Sequence, residues 1–224
     1  MRLKETAGTV WEHIKKGGLV AFAIMGVGIL AALLIFLKVL DLRRMAIDDP
    51  VAVETFLQLV AGGSLAQAEK AAHMLKRTTR ELFLTGLRHA DQSANILEER
   101  LQAVLLEQRL HYERRLPLLA VIATAAPLMG LLGTVVGMVK TFALITVFGT
   151  GNAGKLSSGI SQVLVATELG LTVAIPTLVA HGFLAHRIQR NLSLLERYAL
   201  QFMTAVGTAK AALDHAPKKE PVST

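Results

Sequence analysis

Glu168 lies near the middle of the apolar run Leu156–Ala185. An ionised carboxyl at the centre of a bilayer costs about 2.5–3.5 kcal/mol on insertion scales, so a residue of this kind marks a functional site by default. At about 100° per residue, Ser157, Ser161, Glu168 and Thr172 share one stripe of a helix, with Thr167 beside it and Gln162 well away. A second apolar run carries the glycine-studded stretch Ala126–Met138, with Thr134 in its middle. There Pro127, Gly130, Thr134, Gly137 and Thr141 share one side. Counted from either membrane face, Thr134 is level with Thr167 and Glu168. Hydroxyls and a carboxyl at one depth suit a narrow, partly hydrated lumen that passes protons along hydroxyls and water. Packing is the competing use. Gly133-x-x-x-Gly137 is a generic close-approach motif, and Ser and Thr commonly glue membrane helices together. Pro127, Gly130, Gly133, Gly137 and Pro176 are assigned to packing; Thr134, Thr141, Ser161, Thr167, Glu168 and Thr172 are assigned to the path, with Glu168 tipping the balance.

Three elements must position these groups. The runs Gly17–Leu37, Leu116–Val139 (continuing past Lys140 to Phe148) and Leu156–Ala185 each exceed the roughly 20 residues that span a bilayer. Hydrophobic residues make up 52% of the 224-residue chain, and the charges crowd between the runs. The expected fold is an all-α membrane protein with three transmembrane helices, the second and third extended into a cytoplasmic helical domain. Its expected parts are a periplasmic amphipathic N-terminus (1–16, anchored by Trp11), a first span (17–40), a cytoplasmic helical domain (41–115), a second span (116–148), a periplasmic loop (149–156), a third span (157–186), a cytoplasmic extension (187–212) and a disordered tail (213–224). Eleven Lys and Arg in 41–115 and six from Arg187 onward, against four in the first sixteen residues and Lys155 in the loop, place the C-terminus in the cytoplasm.

Local signals subdivide the middle segment. Asp49-Pro50 starts a helix that stops at Gly62-Gly63, and Ser64–Gln67 reads as a capping box opening the next. No glycine or proline interrupts residues 87–116, which predicts one rigid helix entering the membrane at Pro117.

Several chemistries are excluded. There is no cysteine, the seven histidines show no metal spacing, and no nucleophile–base–orienter set is present, so no enzyme, cofactor or metal is expected. Gly149–Lys155 matches the first seven positions of a phosphate-binding loop, but Leu156 stands where a magnesium-holding hydroxyl is required. A tight turn between two spans explains those glycines. The pI near 9.9 calls for anionic membrane lipid and not for nucleic acid.

The run Pro127–Met138 and the run Gly159–Pro176 together resemble the signature of the MotA/TolQ/ExbB proton-channel family. Three spans and an outside N-terminus resemble its ExbB/TolQ branch. The resemblance implies a bacterial inner-membrane protein forming a ring, usually of five copies, around a single-span ExbD/TolR-type partner whose membrane aspartate carries protons. It implies a motor that works on a TonB- or TolA-type protein, with Thr134 and Thr167 as lumen threonines. ExbB and TolQ proteins usually carry an acid where this chain has Gln162; here the acid is Glu168, which suggests a variant paralogue. A non-conducting scaffold and a self-sufficient carrier using Glu168 stay open as alternatives.

Overall fold

The structure, a computed structural model, describes residue 15 and residues 17–45, 47–149 and 153–215. The expected N-terminal amphipathic helix with Trp11, loop residues 150–152 and the tail after His215 lie outside the described residues. The described residues form seven helices: α1 Gly18–Arg44, α2 Pro50–Ala61, α3 Leu65–Met74, α4 Arg77–Arg88, α5 Ala94–Glu113, α6 Leu116–Phe148 and α7 Ala153–His215. They divide into two units. One holds the chain through Leu40 together with Arg115–Ala185, and the other holds Asp41–Arg114 and the chain from His186 on.

Three helices are long and apolar enough to cross a membrane, and the protein is a multi-pass membrane protein. A helix is one of the few forms that satisfies every backbone N–H and C=O without water, which is why these runs can take no other shape in lipid. In this first unit α1 and α7 run parallel: Gly18 lies against Gln162, and Gly28 against Val173. The second span, α6, runs antiparallel to α7. Along it Ala126 meets Gly170, Gly130 meets Ala166 and Thr167, Gly137 meets Val163, and Thr141 meets Gly159. Small residues on both sides bring the two backbones close. Pro127 and Pro176 sit inside α6 and α7, where each removes one intrahelical hydrogen bond.

The second unit packs α2 to α5 and the rest of α7 around an aromatic core. Phe56 stacks on Phe83 with ring centroids 4.3 Å apart, and Phe202 lies 5.7 Å from Phe83. Each such ring contributes about 1.5–3 kcal/mol by leaving water. Asp48 ties the entrance of this unit together. Its carboxylate accepts from the Lys76 backbone N–H at 2.8 Å, and its carbonyl accepts from the Tyr198 hydroxyl at 3.1 Å. Arg109 and Glu196 form an exposed ion pair at 2.9 Å between α5 and α7.

Two local expectations are corrected. Residues 87–116 are not one rigid helix. The chain turns between Arg88 and Ala94, and again at Arg114-Arg115. The second turn has a plain cause: Pro117 has no N–H to give to residue 113 and its ring crowds that carbonyl, so the helix restarts with Pro117 in its first turn. Ser64 does stand at the start of α3, yet its side chain makes no cap hydrogen bond, so the capping box is not formed. Asp49 likewise starts α2 without a side-chain cap bond.

Tyr198 supplies a test of the second unit. Burial first, then the charges of Asp48 and Asp49, push its hydroxyl above the usual tyrosine value of 10.0. The folded state therefore holds this proton more tightly than the unfolded chain. The stability it lends is whole below about pH 10 and is lost as pH rises through the higher folded value. Tyr198→Phe should cost about 1 kcal/mol near neutral pH through the lost bond to Asp48. Thermal unfolding of both forms should show that gap narrowing above about pH 10; a gap that does not change with pH would refute the assignment.

Candidate functional site

The α6–α7 contact decides which side chains can serve a path. Helix geometry places Gly130, Gly133, Gly137 and Thr141 on the line of contact, and all four are buried. Thr141 is 5% exposed, its hydroxyl donates to the Gly137 carbonyl at 2.8 Å, and Gly159 packs on it. It sits between the helices rather than on an open surface.

Thr134 and Thr167 flank this line. Each stands about 60° off the contact, and because the helices are antiparallel both lie on the same side of the pair. That side is opposite α1, which covers the other flank through Gly18, Val20 and Gly28. Gly133 meets Ala166 and Gly137 meets Val163, so Thr134 and Thr167 stand about two residues apart along the axis and differ in depth by about 3 Å. Both residues are partly exposed. Thr134 donates to the Leu131 carbonyl at 2.7 Å and Thr167 to the Val163 carbonyl at 3.4 Å. A hydroxyl has one proton and two lone pairs. With the proton used on its own helix, each threonine presents lone pairs outward. In that state it accepts hydrogen bonds from water or from an uncharged carboxylic acid and repels a carboxylate.

Glu168 is turned elsewhere. It is exposed on the single chain and lies roughly 100° around α7 from Thr167, on the flank facing away from α6. Ser161 and Thr172 share this flank, Ser161 half-buried and Thr172 exposed. The structure thus brings Thr134 and Thr167 together and sets Ser161, Glu168 and Thr172 on a separate face. Gln162 belongs to neither face: it packs against Gly18, whose φ of +66° and missing side chain let α1 start there.

Two features were not legible as site residues. Gly18 and Gly28 seat α1 on α7, which a glycine in an apolar run does not announce by itself. Lys38, at the end of the first span, is 1% exposed and among the largest fully buried side chains. Among the described residues no group of three or more His, Cys, Asp or Glu is placed to hold a metal.

With this geometry in hand, known proteins are informative. The model of the family described as "MotA/TolQ/ExbB proton channel family" matches residues 69–197, more than half of the chain. An ExbB-like biopolymer transport protein of Synechocystis (ExbB-like 1) is 28% identical over 200 residues, covering 88% of this chain and 76% of that protein. The biopolymer transport protein ExbB of Aquifex aeolicus is 40% identical over 79 residues, 35% of this chain and 53% of that one. The Tol-Pal system protein TolQ of Haemophilus influenzae is 36% identical over 76 residues, 34% of this chain and 33% of its own.

Proposed function

Because the chain belongs to the MotA/TolQ/ExbB proton channel family, we propose that it is the ring-forming subunit of a proton-driven motor in the bacterial inner membrane. In this reading it surrounds a single-span ExbD/TolR-type partner and converts proton motive force into work on a TonB- or TolA-type protein. Its N-terminus is periplasmic, and the unit built from α2 to α5 is cytoplasmic. The parallel course of α1 and α7 supports an odd number of crossings, and the Lys and Arg excess in 41–115 sets the direction.

The observation that carries the proposal is the pair Thr134 and Thr167. They form one hydroxyl flank at mid-depth, opposite α1, and that flank contains no carboxyl of its own. A path of this kind needs a proton carrier from outside the chain. A partner's carboxylic acid, while protonated, donates to the threonine lone pairs and rests against this flank. Once its proton leaves, the carboxylate needs donors. A threonine supplies one only by rotating away from its backbone acceptor. The acid is therefore held in one protonation state and released in the other, which couples proton transfer to movement of partner against ring. Thr141 is proposed as a packing residue only.

Proton flux into liposomes tests this. Flux is expected from the chain reconstituted with its single-span partner and not from the chain alone. Flux from the chain alone would replace the motor with a carrier, and absence of flux with the partner would leave a scaffold.

A further inference from the structure

The second unit holds a polar cavity of about 340 Å³, lined only by its own residues. The floor is Thr78 at the start of α4 and Tyr112 near the end of α5, both buried, with their hydroxyls 3.4 Å apart. The walls carry ionic groups from three helices: Asp41 of α1, Arg77 and Glu81 of α4, and Glu107 and His111 of α5. Gln108 fixes one of these carboxylates, donating from its side-chain amide to Glu81 at 3.0 Å. The sequence explains the opening. Arg77, Thr78 and Glu81 share one side of α4, and Glu107, Gln108 and His111 repeat that spacing on α5. Where α4 packs on α5, two polar faces meet at this end and the seam between them stays open.

The charges limit what can enter. Three carboxylates face one guanidinium and one imidazole, so the balance is negative even with the imidazole charged. An anion alone is repelled. The carboxylates are not grouped as a metal ion would need, since among the described residues no three His, Cys, Asp or Glu are placed to hold one. A ligand with an ammonium at one end and a phosphate at the other meets both signs. Its N–H groups donate to the carboxylates, and its phosphate accepts from Arg77, where the amino end of α4 adds a partial positive charge.

The chain also sets where such a ligand is found. Asp41 follows Lys38 by three residues of unbroken α1, and His111 precedes Leu116, the first residue of α6, by five. Both walls thus stand within about 8 Å along the chain of an apolar span, which is the depth of the headgroup layer on one face of a bilayer. Among phospholipid headgroups, ethanolamine presents an ammonium with three N–H donors. Choline presents none, and glycerol carries no cation.

We propose that this cavity holds the headgroup of an ethanolamine phospholipid from the adjacent leaflet, with Glu81 and Glu107 on the ammonium and Arg77 on the phosphate. The site adds a ligand to the chain; it rests on the chain lying in a membrane and not on what the assembly conducts.

The test uses the wild-type chain in vesicles of phosphatidylethanolamine and phosphatidylglycerol, treated with a water-soluble carbodiimide. The reagent joins a carboxylate to a primary amine in contact with it; the amide forms, and the carbodiimide takes up the water and leaves as a urea. Peptide mass spectrometry should find lipid amide on Glu81, Glu107 or Asp41, severalfold above Glu113 and Asp49, which lie outside the cavity. Arg77→Gln should cut that amide severalfold while the folded peak on size exclusion is unchanged. Amide spread equally over Glu113 and Asp49 would overturn the site, because contact would then follow nearness to the leaflet alone. An undiminished yield in Arg77→Gln would overturn the phosphate assignment. Excess soluble glycerophosphoethanolamine should leave the lipid amide in place; its own amide at these residues instead would overturn the membrane lipid as the source. Lipid amide in the cavity without proton flux would refute the motor and leave the site standing.

Discussion

Gly170→Ala is expected to leave little folded protein in the membrane. A methyl built on Gly170 stands 2.8 Å from the Ala126 carbonyl oxygen and 3.0 Å from the Gly130 Cα. Both neighbours are backbone, so no side chain can turn aside, and α6 must move away from α7 along the whole contact. Overpacking usually costs about 1–3 kcal/mol, and the loss here should sit at the top of that range because Gly130, Gly137 and Thr141 all lose their partners together. Fluorescence-detected size exclusion after mild detergent extraction should show the folded peak reduced severalfold. Gly26→Ala, Gly182→Ala and Gly207→Ala, where an added methyl meets nothing within 4 Å, should keep it. Gly133→Ala is the informative middle case. Its methyl collides chiefly with the Ala166 Cβ, so adding Ala166→Gly should restore most of the loss. If Gly170→Ala matches wild type, or if Ala166→Gly rescues nothing, the contact drawn here between α6 and α7 is wrong.

That contact also shows what was legible beforehand. The three spans were, because lipid leaves an apolar run of this length only a helix to adopt. The break at Arg114-Arg115 is legible too, since a proline at 117 cannot extend a helix from 113 even where no glycine or proline interrupts residues 87–116. The turn between Arg88 and Ala94 had no such marker. For the site, helical spacing places Ser161, Glu168 and Thr172 on one face with Thr167 beside them. What it could not supply was the direction in which α6 lies. Only the observed contacts of Gly130 with Thr167 and of Thr141 with Gly159 separate a hydroxyl flank from a carboxyl flank and put Thr141 between the helices. Gln162 teaches the same lesson from the other side. Its partner is Gly18, which is 144 residues away in sequence and has no periodic signal to announce it.

The largest functional effect is expected from Thr134→Ala combined with Thr167→Ala. Partner-dependent proton flux should fall while assembly is unchanged, because neither hydroxyl lies on the line of contact and each donates only to its own helix. If each threonine contributes one hydrogen bond of about 1 kcal/mol to the bound acid, losing both should slow transfer roughly thirtyfold, at about 1.4 kcal/mol per factor of ten. Serine at both positions keeps the hydroxyl and should keep most of the flux. Valine keeps the shape without the oxygen and should behave as alanine does. This contrast separates chemistry from packing: a steric role would be preserved by valine and weakened by serine, the reverse order. The single variants refine the mechanism further. Thr134 holds its backbone acceptor at 2.7 Å and Thr167 at 3.4 Å, so Thr167 is the easier to rotate into a donor for the departing carboxylate. Thr167→Ala should therefore impair release of the ionised acid, and Thr134→Ala capture of the protonated one. Capture depends on proton supply, whereas release does not. Raising the proton concentration on the entry side should then recover flux in Thr134→Ala and leave Thr167→Ala slow. Equal recovery in both would mean that the two hydroxyls do the same work, and the division between holding and releasing would have to be abandoned.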